Sequence, residues 1–201
     1  MSAVASTSSR ERAPIVALPV AAAGVALLLA RPWLRSDGIG PAGMALLYAA
    51  LAAASIAASA RMPRIDVAGR AMEEFGRPIV HPGAALAVGV GAFGIARLIS
   101  GPVAPLAVTG SALGLNVLAA VAEEAFFRRF LYGSLLPLGP GVAVVISAVA
   151  FALVHVPLYG GAVFWVDLGA GLLLGWQRWA SGSWEAPAAT HAIANILAVL
   201  R

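Results

Sequence analysis

The stretch Val117-Leu-Ala-Ala-Val-Ala-Glu123-Glu124-Ala-Phe-Phe-Arg128-Arg129 decides how the chain is read. An apolar run delivers two adjacent carboxylates and two guanidiniums into a segment that otherwise has the composition of a membrane helix. Ionisable side chains within such a span cost about 2.5–3.5 kcal/mol each on insertion scales, and by default they suggest function. Neighbours on a helix point about 100° apart, whereas residues four apart share a face. Glu123 and Glu124 therefore cannot do the same job. Glu124 has Arg128 at i+4, in the favourable order, and reads as a structural ion pair. Glu123 has Phe127 there and reads as a carboxylate without a dedicated cation, free for chemistry. Taken alone, the stretch also permits both Glu residues to pair with Arg128 and Arg129 at a membrane boundary.

The surrounding composition fixes the solvent. Of 201 residues, 61% are hydrophobic and 11% charged, and the mean hydropathy is +0.90; soluble domains carry roughly a quarter charged residues. Spanning the hydrocarbon core takes about 20 residues of helix. Segments near 13–30, 40–60, 83–100, 104–126, 140–158, 161–180 and 185–200 qualify, the last being short. Backbone groups in lipid must be satisfied internally, so the segments are helices. The expected fold is all-α, a polytopic bundle of six to seven transmembrane helices. It forms one transmembrane domain over 1–201, with its polar motifs in the half from about 104 to 201.

All basic residues are Arg, and they lie mainly between apolar runs, as topology signals do. With seven spans, Arg10, Arg12, Arg61, Arg64, Arg70, Arg77, Arg128, Arg129 and Arg178 fall on one side, against Arg31, Arg35, Arg97 and Arg201 on the other. This places the N-terminus in the cytoplasm, behind an uncleaved first span. No basic face is dense enough for nucleic acid. The absence of Cys excludes disulfides, thiolate metal sites and cysteine nucleophiles. The connection 61–82 holds three Pro and seven charged side chains and reads as a cytoplasmic loop, in which Glu73 and Glu74 are solvated and His81 is a loop residue. Gly171 and Gly175 have the GxxxG spacing and are read as internal helix packing.

Two further polar elements interrupt the late spans. Phe151-Ala-Leu-Val-His155 puts an aromatic and an imidazole on one helical face. The chain turns near Leu138-Gly139-Pro140, and Glu123 and His155 lie about sixteen residues to either side, so an antiparallel hairpin brings both to one depth. His191-Ala-Ile-Ala-Asn195 adds a His and an Asn at i and i+4. Asn116 and Asp167 read as inter-helix hydrogen-bonding groups, and Trp33, Trp165, Trp176, Trp179 and Trp184 mostly as interfacial anchors.

Glu123-Glu124-Ala-Phe-Phe-Arg128, Phe151-Ala-Leu-Val-His155 and His191-Ala-Ile-Ala-Asn195 resemble the EExxxR, FxxxH and HxxxN motifs of the CAAX protease and bacteriocin-processing (CPBP, or Abi) family. The approach from Gly171-Leu-Leu-Leu-Gly175 through Ser181-Gly-Ser-Trp184-Glu-Ala-Pro187 is also similar. The resemblance covers roughly 120–196, and Arg129 stands where members usually have Gly. It implies an intramembrane endopeptidase that hydrolyses a peptide bond in a membrane-associated peptide or protein.

 

Within that resemblance two mechanisms fit the residues. In one, Glu123 assisted by His155 activates a water, while His191 and Asn195 donate hydrogen bonds to the developing oxyanion; Glu124, Arg128 and Phe151 support the site and no cofactor is needed. In the other, His155, His191 and either Glu123 or Glu124 hold a zinc ion with an open water position. Asn195 is a better oxyanion donor than zinc ligand and Glu124 already has Arg128, so the metal-free scheme is favoured. Bacterial members of the family are linked to bacteriocin-like peptides, self-immunity and removal of C-terminal sorting signals, which implies residence in a bacterial inner membrane. Two non-enzymatic readings compete: a transporter or ion pathway extended by Asp167, Arg97 and Asn116, and a silent scaffold that binds a membrane partner. The polar groups gather on three late segments and no inverted repeat is evident, which disfavours the first; retention of every motif residue disfavours the second.

Overall fold

Long apolar runs punctuated by Gly and Pro produce helices joined by short turns, and a computed structural model describes residues 12–62, 80–99 and 110–199. The described elements are α1 (Arg12–Ser36), α2 (Pro41–Arg61), α3 (Pro82–Ile99), α4 (Gly110–Glu124), a π-helical stretch (Ala125–Leu131), α5 (Tyr132–Leu135), a 3₁₀ turn (Leu136–Leu138), α6 (Pro140–Tyr159), α7 (Val163–Ser181) and α8 (Glu185–Val199). No strand occurs among the described residues. The expectations for Arg10, for most of the 61–82 connection with Glu73 and Glu74, for the start of the fourth span at 104–109 and for Arg201 lie outside them.

Among the described residues, five helical segments are long and apolar enough to cross a membrane: Leu18–Ser36, Pro41–Arg61, Pro82–Ile99, Gly110–Leu138 and Pro140–Tyr159. The protein is thus an integral membrane helical bundle. The last two expected segments are also helices. α7 carries Asp167, Gln177 and Arg178, and α8 has 15 described residues, about 22 Å of helix at 1.5 Å per residue.

One expectation is corrected. The span expected near 104–126 does not end there but runs on through the π-helical stretch to Leu138. Its continuation is buried: Phe126, Phe127, Arg128 and Phe130 are all fully enclosed. Gly139, at φ 102°, then turns the chain, and Pro140 opens α6 at its first turn, where its missing N–H is no loss.

Close approaches and polar pins hold the bundle. α6 and α7 pack through Gly171 and Gly175: a Cβ at Gly171 would lie 3.0 Å from Ala148 Cα, and one at Gly175 would lie 2.9 Å from Val144 Cγ1. The GxxxG pair is therefore an internal packing face. On α1, Gly24 lies against the Phe126 ring. Gln177 Nε2 donates to Ala85 O at 2.6 Å and to Thr190 Oγ1 at 2.8 Å, joining α3, α7 and α8. Ser183 Oγ accepts from the amides of Glu185 and Ala186 and caps the start of α8.

Gly171→Ile should destabilise the protein by about 1–3 kcal/mol, because the added atoms meet the backbone of α6. Gly169→Ala, where a Cβ meets nothing within 4 Å, should change it little. Thermal unfolding of the two variants in detergent measures the difference.

Candidate active site

The hairpin of the motif helix and α6 brings Glu123 and His155 to one depth. His155 Nε2 lies 3.5 Å from Glu123 Oε2, and both residues are buried. His155 Nδ1 lies 2.7 Å from Phe151 O. A carbonyl oxygen only accepts, so Nδ1 carries a proton, and in the neutral form of the ring Nε2 is the nitrogen that holds the lone pair. The i, i+4 spacing of Phe151 and His155 thus fixes the tautomer as well as the face.

Glu124 occupies the other side of the helix, as the angular argument requires. Its Oε1 accepts from Arg128 at 3.1 Å, with both side chains fully buried. Arg128 also donates to Gly171 O at 3.1 Å. Its guanidinium lies 4.5 Å from the Phe151 ring centre and 5.6 Å from that of Phe127, within the range of cation–π attraction. These partners replace water for Arg128, which is why it sits inside the bundle and is not a boundary cation. Arg129 instead lies 5.3 Å over the Trp184 ring.

His191 does not pair with Asn195. Its Nδ1 lies 3.0 Å from Glu124 Oε1, and a carboxylate accepts, so Nδ1 carries a proton and Nε2 is the nitrogen left for other partners. Asn195 Nδ2 donates to Asn116 O at 3.1 Å, leaving its second N–H. Phe151 packs among these groups, with ring centres 4.6 Å from His155, 5.6 Å from His191 and 5.4 Å from Phe127.

A cavity of about 270 Å³ is lined by Glu123, His155, His191 and Asn195 together with Phe151. Glu124 and Arg128 stand behind it. The cavity wall also includes Asn116 and Asp167, which sequence reasoning left out of the site. Asn116 serves through its main-chain carbonyl. Asp167 Oδ2 lies 3.8 Å from His155 Nδ1 and has no hydrogen-bond partner among the described residues.

The larger correction concerns Arg31, read from sequence as a topology signal. It is 3% exposed, lines the cavity and forms an ion pair with Glu123 Oε1. Glu123 therefore has a dedicated cation, supplied by α1 instead of by its own helix. The available signal was position: Arg31 closes the apolar run Val25–Ala30 and precedes Pro32, still within helical reach of the core.

Among the described residues, no three His, Asp or Glu side chains are grouped to hold a metal ion. Both carboxylates carry a guanidinium, and each imidazole has Nδ1 engaged.

Replacing Arg128 by Met should destabilise the protein by about 3–5 kcal/mol, since it leaves a buried carboxylate without its cation. Thermal unfolding of the purified variant checks this.

Comparison with curated proteins and with solved structures gave no match. Residues 105–197 match the model of the family described as type II CAAX prenyl endopeptidase Rce1-like. That segment contains all three motifs and most of the residues that line the cavity, and over it the chain is similar to the Rce1-like CAAX prenyl endopeptidases.

Proposed function

We propose that the protein is an intramembrane endopeptidase that hydrolyses a peptide bond of a membrane-associated substrate by a glutamate-activated water. The observation that carries this reading is the facing of Glu123 Oε2 and His155 Nε2 across 3.5 Å at the wall of a polar cavity inside an apolar bundle. With His155 neutral both atoms are acceptors, and in this scheme a water entering from the cavity gives a hydrogen bond to each. Glu123 takes the proton as the water oxygen attacks the scissile carbonyl, and His155 fixes the second hydrogen. The proton then passes to the departing amine, so the C–N bond breaks with neutral carboxyl and amine products before ionisation.

The oxyanion that forms needs donors already in place. Asn195 has an N–H beyond the one given to Asn116 O. His191 donates from Nε2 only as the imidazolium, because Nδ1–H is turned to Glu124. Glu124 then stabilises the cation that the oxyanion meets. This gives the second Glu a purpose beyond the Arg128 pair: it orients His191 and balances its charge.

Residence in a bacterial inner membrane with the N-terminus on the cytoplasmic side is part of this proposal. Arg31 and Arg128 are bundle cations and drop out of the positive-inside comparison, but the remaining Arg residues keep the same bias.

The test compares membrane peptides and proteins from cells carrying the parent chain with those carrying Glu123→Ala. Uncut precursors should accumulate in the variant, and processing should fall by roughly 10²–10⁴-fold for Glu123→Ala and His155→Ala. Asn195→Ala should cost roughly 10²–10³-fold. Processing by the purified parent should survive strong chelators; stoichiometric zinc whose removal abolishes cleavage would replace this scheme with the metal-dependent one. Unchanged processing in the Glu123 and His155 variants would sink the site assignment.

A further inference from the structure

We infer that Arg31, on a helix outside the family-matched segment, is a positioning residue that clamps the proposed base and its histidine partner together. The inference rests on the peptidase reading above for its consequence, but its geometry is independent of that reading. Gly24, Leu28 and Arg31 are all buried and recur at i, i+4 and i+7, one face of α1. Gly24 lets that face close on Phe126, three residues beyond Glu123. The same contact that seats α1 therefore delivers its guanidinium to the depth of the carboxylate.

The guanidinium is itself held. Arg31 Nε donates to Leu28 O at 2.9 Å, one turn back on its own helix. Nη1 donates to Glu123 Oε1, and Nη2 donates to Val154 O at 3.2 Å. Val154 immediately precedes His155. One planar group thus spans the motif helix and α6 at the two positions that matter, with its donors fixed in a rigid fork. Glu123 Oε1 is occupied by the clamp, and Oε2 is the oxygen left to face His155.

The charge contributes as well as the geometry. A lone carboxylate buried among apolar helices avoids the cost of desolvation by staying neutral. A neutral carboxyl cannot take a proton from water. The α1 cation balances the charge on Glu123 while its hydrogen bonds stop that carboxylate from rotating away. A Lys at this position keeps the charge but loses the fork, whereas Gln keeps polar contacts and loses the charge.

The experiment uses the full chain in membranes, with Arg31→Gln, Arg31→Lys and Glu123→Gln at matched levels of folded, detergent-extractable protein. Two readouts are taken: accumulation of the uncut membrane precursors, and the infrared protonated-carboxyl band of the purified protein. Arg31→Gln should accumulate the same precursors as Glu123→Gln, and its infrared spectrum should gain a carboxyl band that the Arg31→Gln/Glu123→Gln double variant lacks. Arg31→Lys should recover part of the processing and show no such band. If Glu123→Gln blocks processing and Arg31→Gln neither slows it nor changes the band, the clamp is wrong and the peptidase reading stands. If Glu123→Gln blocks nothing, the peptidase reading fails, and the infrared comparison alone decides the clamp. Loss of folded Arg31→Gln leaves the Arg31→Lys variant to decide: processing slower than the parent's with no new carboxyl band supports the clamp, and processing equal to the parent's, or a carboxyl band there, overturns it.

Discussion

Charge pairing inside a medium that cannot solvate charge is the constraint on which this structure depends. Glu124 and Arg128 are both fully buried, and neither would tolerate that position without the other. Their pair commits the motif helix to the middle of the bundle. Arg128 then reaches the carbonyl of Gly171, and His191 reaches Glu124, so α7 and α8 are tied to the same charge pair. Packing around these links is apolar and close, and the aromatic residues Phe127 and Phe151 wall the guanidinium from lipid. The polar centre and the helical arrangement are therefore one design: removing either would leave the other without a reason to exist.

The pairing has a second effect, which is to sort two adjacent carboxylates. Glu124 is surrounded on the inside of the bundle, while Glu123 reaches the cavity and meets Arg31 on one oxygen and His155 on the other. A single step along the helix changes the environment from enclosed to cavity-lining. Such separation of neighbouring groups by environment is the usual means of giving like residues unlike tasks.

Much of this was legible in the sequence, because polar residues in apolar spans are few and their spacing is rigid. Counting residues from the turn at Gly139 put Glu123 and His155 level, and the i+4 rule found the Glu124–Arg128 pair. What was not legible had specific causes. Arg31 looks like any cation at the end of a span, and only the packing of Gly24 against Phe126 reveals that α1 turns it inward. Gln177 and Thr190 give no periodic signal, since one hydrogen-bonded pin needs no repeat. Asp167 and Asn116 were noticed, but their place on the cavity wall depends on how α4 and α7 are rotated, which composition does not fix.

The π-helical stretch Ala125–Leu131 sets the relation between the two ends of the motif helix. Its wider turns take more residues than an α-helix does, so the angular phase below it is offset from the phase above. A helical wheel drawn through both halves without that offset would assign the lower faces wrongly. A change in length beyond Arg128 within this segment would shift the phase between Glu123 and the hairpin turn while leaving the EExxxR spacing intact, making helix phase a dimension of variation that a motif comparison does not record.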